Sequence, residues 1–334
     1  MSSPLLNFVV TIDAEEDNWG YDGRDSSVEN IRMIRRLQDL FDRYEIKPSY
    51  LVSYQVASCD WAVDLFSDIL SKDKCEIGAH LHPWNTPPVK EIINERNSMM
   101  KNLPYELQIE KIKVLSEKIE NVFGNKPRSF RAGRWGLGKD TIKALIECGY
   151  LIDSSVTPTV SWKSSGDGPE YPDVMTEPYR MTVDGAGNKQ NTNETILEVP
   201  ATIGFNRWPF EFWQKIHVQL QKGWLKSIKS AGFMHHTGLL RKIWLSPEIA
   251  SANDMIDLAK ILIRNRVQFL NLSFHSTTLL PGKTPFVKNN SDLEDFYSRL
   301  EKLFVYLRKS TDLNALSLSD VQTLFDKRRK STHA

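Results

Sequence analysis

The chain has 334 residues, 40% of them hydrophobic and 25% charged, with a formal net charge of +1. These are the proportions of a globular protein with a full core, long enough for one large α/β domain or two small ones. Near-neutrality leaves no overall field that would select nucleic acid or an anionic membrane, and the basic run Lys327-Arg-Arg-Lys330 reads as the solvated end of a C-terminal helix.

The first residues, Met-Ser-Ser-Pro-Leu-Leu-Asn-Phe-Val-Val-Thr-Ile-Asp13, lack a cationic leader, and Asp13 interrupts the apolar stretch well short of a signal peptide or membrane span. Cys59, Cys75 and Cys148 are odd in number and lack metal-knuckle spacing, which fits reduced thiols. The expectation is a cytoplasmic protein with no integral membrane segment and no nucleic-acid partner.

Phe8 to Ile12 is a β-branched apolar run ended by acids, the pattern of a buried strand. From Ser27 to Tyr44 the apolar residues recur with a helical period. Strands at 48–53 and 75–79 flank a helix at 61–70. A helix at 105–123, a strand at 129–131, a helix at 139–148 and a strand at 150–153 follow. This alternation predicts parallel βαβ units. Between Ser154 and about Ser246 it blurs into a stretch rich in Pro, Gly, Asn and Thr, containing one predicted strand at 197–200 and Trp162, Trp208, Trp213, Trp224 and Trp244. That stretch is expected to be an insertion over the barrel mouth of a single catalytic domain. Regular structure resumes with a helix at 247–264, a strand at 268–274, a helix at 293–308 and a last helix from Leu318.

Four segments at predicted strand ends hold most of the chemically capable residues, and such ends converge on one face of a parallel α/β barrel. The first is Asp13-Ala-Glu15-Glu-Asp17, where Asp13 and Glu15 leave a persisting strand on the same side; a solvated acidic loop is the alternative. In Glu76-Ile-Gly-Ala-His80-Leu-His82-Pro-Trp84, two histidines alternate around one apolar residue and can face one cation. Imidazole with carboxylate favours zinc or a similar divalent ion over calcium. The third, Phe130-Arg131-Ala-Gly-Arg134-Trp135-Gly, supplies fixed cations that would hold a nearby acid ionised. The fourth, Leu270-Asn-Leu272-Ser-Phe-His275, ends on an imidazole able to protonate a leaving amine. Trp19, Trp84 and Trp135 lie beside these segments and suit the apolar faces of sugar rings. Trp61 and Trp224 are expected in the core, and His217, His235 and His236 at structural or surface positions.

The order Thr-Ile-Asp-x-Glu, Glu-Ile-Gly-Ala-His, Phe-Arg-x-Gly, Asp153-Ser-Ser, Leu-x-Leu-x-Phe-His resembles the polysaccharide deacetylase family (NodB-homology domain, carbohydrate esterase family 4) from about residue 6 to 282, apart from the insertion. The resemblance implies a distorted (β/α)7 TIM-like barrel that hydrolyses N-acetyl groups of sugars with a bound divalent metal. It further implies Asp13 as catalytic base, Arg131 as the residue steadying it, His275 as general acid, and Leu270 and Leu272 around the acyl methyl. Two positions depart from the family. Ala14 stands where the metal-binding acid usually follows the base, which moves that role to Glu15, and Trp84 stands four residues after His80, which leaves His82 as the second imidazole. Glu15, His80 and His82 are therefore the expected ligands, with Trp19, Trp84, Arg134, Trp135, Leu270 and Leu272 around the substrate. The cytoplasmic expectation points to removal of acetyl or formyl from a nucleotide-linked or lipid-linked amino sugar, in the making of lipopolysaccharide, capsule or a similar surface polysaccharide. Hydrolysis of a non-sugar linear amide, as in allantoinase-like relatives, and a non-catalytic carbohydrate-binding role are the alternatives.

Overall fold

The computed structural model describes residues 3–17, 19–21, 27–183, 185–186, 195–220 and 240–332. Strand β1 (Leu5–Ala14) is buried along its whole length after Leu5. It is followed by helix α1 (Ile34–Arg43), β2 (Ser49–Val52), the short α2 (Tyr54–Ala57), α3 (Asp60–Ser71) and β3 (Glu76–Leu81). Next come α4 (Tyr105–Phe123), β4 (Ser129–Ala132), α5 (Lys139–Glu147) and β5 (Ile152–Asp153). Helix α4 stops at Gly124, whose φ of 76° is the left-handed conformation that glycine adopts without cost. Further on lie the antiparallel β6 (Tyr179–Thr182) and β7 (Gly185–Ala186), then β8 (Thr195–Glu198), β9 (Ile203–Phe205), α6 (Phe210–Leu220) and β10 (Lys242–Trp244), which pairs antiparallel with β9. The chain ends through α7 (Ala252–Arg264), β11 (Phe269–His275), α8 (Asn290–Ser310), β12 (Asp312–Leu316) and α9 (Leu318–Thr332).

Seven strands run parallel in the order β11-β1-β2-β3-β4-β5-β8, the curled sheet of a distorted (β/α)7 barrel. Between β8 and β11 the sheet is linked by irregular chain. Thr202 N–H donates to the Asn271 carbonyl (3.1 Å), Asn271 N–H to Thr202 Oγ1 (2.8 Å), and Ser273 N–H to the Leu245 carbonyl (3.2 Å). The stretch 154–246 thus contains one strand of the barrel itself, β8, with additional chain on either side of it. Strand β12 had no counterpart in the sequence reading. It runs Asp-Leu-Asn-Ala-Leu and pairs with the first half of β1.

Two predicted boundaries shift for identifiable reasons. β3 runs through His80 to Leu81, so that histidine belongs to the strand. The helix expected from Pro247 begins at Ala252, because the Ser246 carbonyl accepts from Ile249 and Ala250 in a turn and Ser251 Oγ then caps the helix through Asp254 N–H (3.2 Å).

At Gly78 on β3, a Cβ would lie 2.2 Å from Ser129 Oγ and 2.5 Å from a Leu51 methyl. Only glycine lets β2, β3 and β4 close at this point. Gly78→Ala is expected to lower stability by about 1–3 kcal/mol, measured by chemical denaturation; an unchanged midpoint would contradict the packing.

Candidate metal centre and active site

Register assembles the site. In the parallel ladders Asp13 and His275 are direct Cα partners, and so are His80 and Arg131. Residues some 260 positions apart therefore meet at one rim.

Arg131 is 1% exposed, and each of its three nitrogens donates inside the barrel. Its Nη1 donates to Asp13 Oδ1 at 2.7 Å, Nη2 to Thr11 Oγ1 (2.7 Å) and Ser154 Oγ (2.9 Å), and Nε to the Ser154 carbonyl (2.7 Å). Burial by itself would favour a neutral Asp13. The Arg131 charge, with His80 and His275 behind it, outweighs burial and pushes the carboxyl down to about 2. Asp13 Oδ2 lies 3.8 Å from His275 Nε2.

Glu15 Oε2 lies 3.3 Å from both His80 Nε2 and His82 Nε2. His80 Nδ1 is 3.2 Å from the Arg131 carbonyl, and His82 Nδ1 is 2.9 Å from Glu16 Oε1. Both acceptors require N–H at Nδ1, which assigns lone pairs to the two Nε2 atoms. Those atoms face each other at 2.9 Å beside the Glu15 carboxylate. Two lone pairs and an anion converging there call for a positive charge, a proton or a metal cation, and ligand atoms of the three residues fall within 4.8 Å of one another. The donor set fits a divalent ion of the zinc type. Glu16, between Glu15 and Asp17, orients His82. Burial raises the Glu16 carboxyl, yet the imidazole beside it brings it below its ordinary value; burial lowers His82, and Glu16 brings it above. Gly133 is needed for this approach, since a Cβ there would sit 2.2 Å from His82 Cδ2.

On the opposite side, Glu248 grips His275. Its Oε2 is 3.1 Å from Nδ1, and its Oε1 accepts from the His275 N–H at 3.0 Å and from Thr278 Oγ1. Burial disfavours charge on His275, but Glu248, then Glu15 and Asp13, raise it to about 10. A lone acid after Ser-Pro gave no sequence signal for this pairing, since the position read as the first turn of a helix.

A cavity of about 510 Å³ opens over these groups, within the size range of small-molecule sites. Trp19 is 43% exposed and meets His275 edge-on at 4.9 Å. Trp84 stacks on His82 at 4.1 Å and 17°, and Arg134 and Trp135 line the wall. Leu270 and Leu272 do not. Both are fully buried against the helices outside the sheet, because the period-two alternation of β11 turns Asn271, Ser273 and His275 inward instead. The sequence reading missed Trp162, Trp244 and Ile249 in the lining. Trp61 packs half-buried under Arg32, and His217 sits on α6 beside Phe205. Trp224, His235 and His236 lie outside the described residues.

No family model and no curated protein matches this chain. Solved structures do. A Mycobacterium smegmatis protein assigned as a polysaccharide deacetylase superposes with a TM-score of 0.54 at 14% identity, over 98% of this chain and 92% of its own. The fold is that of the polysaccharide deacetylases. A Parabacteroides distasonis protein assigned as a glycoside hydrolase/deacetylase gives 0.58 at 11% identity, over 98% and 72%. The Puue allantoinase gives 0.50 at 13%, over 96% and 89%. Among the described residues no helix is long and apolar enough to cross a membrane.

Removing the Glu248 charge should release His275. In Glu248→Gln the imidazole is expected to titrate at least about one pH unit lower than in the parent protein, followed by NMR of the ring protons. An unmoved midpoint would show that Glu248 does not hold that charge.

Proposed function

We propose that this protein is a metal-dependent hydrolase that removes a small N-acyl group, acetyl or formyl, from an amino sugar. The observation that carries the reading is Asp13, held ionised by buried Arg131, 3.8 Å from His275 in a cavity that also presents Glu15, His80 and His82. An ionised carboxylate and a protonated imidazole with opposite pKa displacements are the pair that general base and general acid catalysis requires.

Glu15, His80 and His82 would hold the divalent ion, zinc by donor preference. Such an ion, when bound, supplies Lewis-acid polarisation of the amide carbonyl. Asp13 accepts a proton from water as its oxygen adds to the carbonyl carbon. Arg131 keeps the Asp13 carboxylate oriented and charged until that moment. His275 donates its proton to the sugar nitrogen as the C–N bond breaks, so that an amine leaves together with the carboxylic acid. Glu248 keeps that proton on His275 near neutral pH. Trp19, Trp84, Arg134 and Trp135 border the substrate. Cytoplasmic action on a nucleotide-linked or lipid-linked amino sugar, in assembly of lipopolysaccharide or another surface polysaccharide, is the setting we assign. A non-sugar linear amide is the second reading, supported by the likeness of fold to an allantoinase.

Asp13→Asn is expected to reduce turnover of N-acyl sugars by at least about 10³-fold, with zinc content by elemental analysis unchanged; full activity would refute the base assignment. Glu15→Gln and His80→Ala are expected to lose the metal itself, seen as substoichiometric zinc after dialysis. Stoichiometric zinc in both would move the metal site elsewhere.

A further inference from the structure

Part of the cavity lining beyond Asp13 and the histidines is built of indoles. Trp135 and Trp244 meet edge to face with centroids 6.2 Å apart, and Trp162 packs on Trp244 at 6.3 Å. Ile249, 52% exposed, continues this apolar surface.

Three features fix the wall in place. Arg134 and Trp135 are consecutive non-glycine residues in the left-handed region, with φ of 54° and 58°. Such strain persists where the surroundings over-determine it, and it concentrates at ligand sites. The Trp135 carbonyl accepts from Tyr171 Oη at 2.9 Å, and its ring lies 4.9 Å from the Arg131 guanidinium. Trp162 Nε1 donates to Thr157 Oγ1 at 2.9 Å, and Trp244 on β10 pairs with Ile203 on β9 in an antiparallel two-stranded sheet. A rigid apolar surface left open to a cavity is a binding surface whose ordering cost is already met.

Charge on the described walls points the same way. The arginine there, Arg134, is engaged with Ser98 Oγ, Ser165 Oγ (2.8 Å) and the face of Tyr21. Asp13, Glu15 and Glu248 line the same space. A phosphate at this wall would meet indoles and Ile249, with Arg134 already committed and the charge of His275 matched by Glu248 and Asp13.

Resting on the hydrolase reading above, we infer that Trp135, Trp162 and Trp244 form a second subsite that binds an uncharged apolar group attached to the substrate beyond the scissile amide. The preferred substrate class is an N-acyl amino-sugar glycoside with a hydrophobic aglycone, ahead of one carrying a nucleoside diphosphate.

The test uses the zinc-loaded protein and two ligand pairs, with dissociation constants from calorimetry. One pair is the phenyl and methyl β-glycosides of N-acetylglucosamine, with UDP-N-acetylglucosamine alongside; the other is acetanilide and acetamide. In each pair the aryl member is expected to bind at least tenfold tighter, with the UDP-sugar weaker than the phenyl glycoside. In Trp244→Ala and Trp162→Ala the aryl-to-methyl ratio is expected to fall toward one. Equal affinities within both pairs, or a UDP-sugar that binds tighter than the phenyl glycoside, would overturn the subsite. An aryl preference in the acetanilide pair, with no glycoside bound or hydrolysed, would uphold the subsite and refute the amino-sugar reading instead.

Discussion

A guanidinium with no access to solvent organises the rim of this barrel. Arg131 crosses beneath the site to reach Asp13 while its remaining donors are taken up by Thr11 and Ser154. Removing either partner of such a buried pair leaves an uncompensated charge and costs about 3–5 kcal/mol. The arrangement therefore commits the fold to one geometry as well as one protonation state. Asp13 stays anionic because its neighbour cannot lose charge.

From that pair outward, each titratable group is held by another. Arg131 also offers its carbonyl to His80, Glu16 orients His82, and Glu248 orients His275. Each imidazole thus has one nitrogen fixed by the protein and the other turned into the cavity. That division makes a histidine useful either as a ligand or as an acid, since the fixed nitrogen decides what the free one carries. His80 and His82 present lone pairs toward Glu15, whereas His275 lies among three carboxylates and keeps its proton.

The cavity joins this polar floor to an aromatic wall supplied largely by the chain on either side of β8. Indoles that line the same space as Asp13 and His275 displace water from it, and electrostatic interactions are stronger where water is excluded. Trp84 and Trp19 contribute from the barrel side, one by stacking on His82 and the other by meeting His275.

Much of this was legible in the residues alone. Alternating β-branched runs and amphipathic periods dictate the parallel sheet, and the strand-end positions of Asp13, Glu15, His80, His82, Arg131 and His275 follow from where those runs stop. These are local properties, written in spacing two and spacing 3.6. Register was not legible, because it depends on how strands far apart in the chain align; it makes Asp13 the neighbour of His275 and turns Leu270 and Leu272 outward while Asn271 and Ser273 face in. Glu248 and Trp244 reach the site by a turn and by a three-residue strand too short to carry a periodic signal. Local chemistry thus determined which residues were capable of acting, and only long-range packing decided which of them meet.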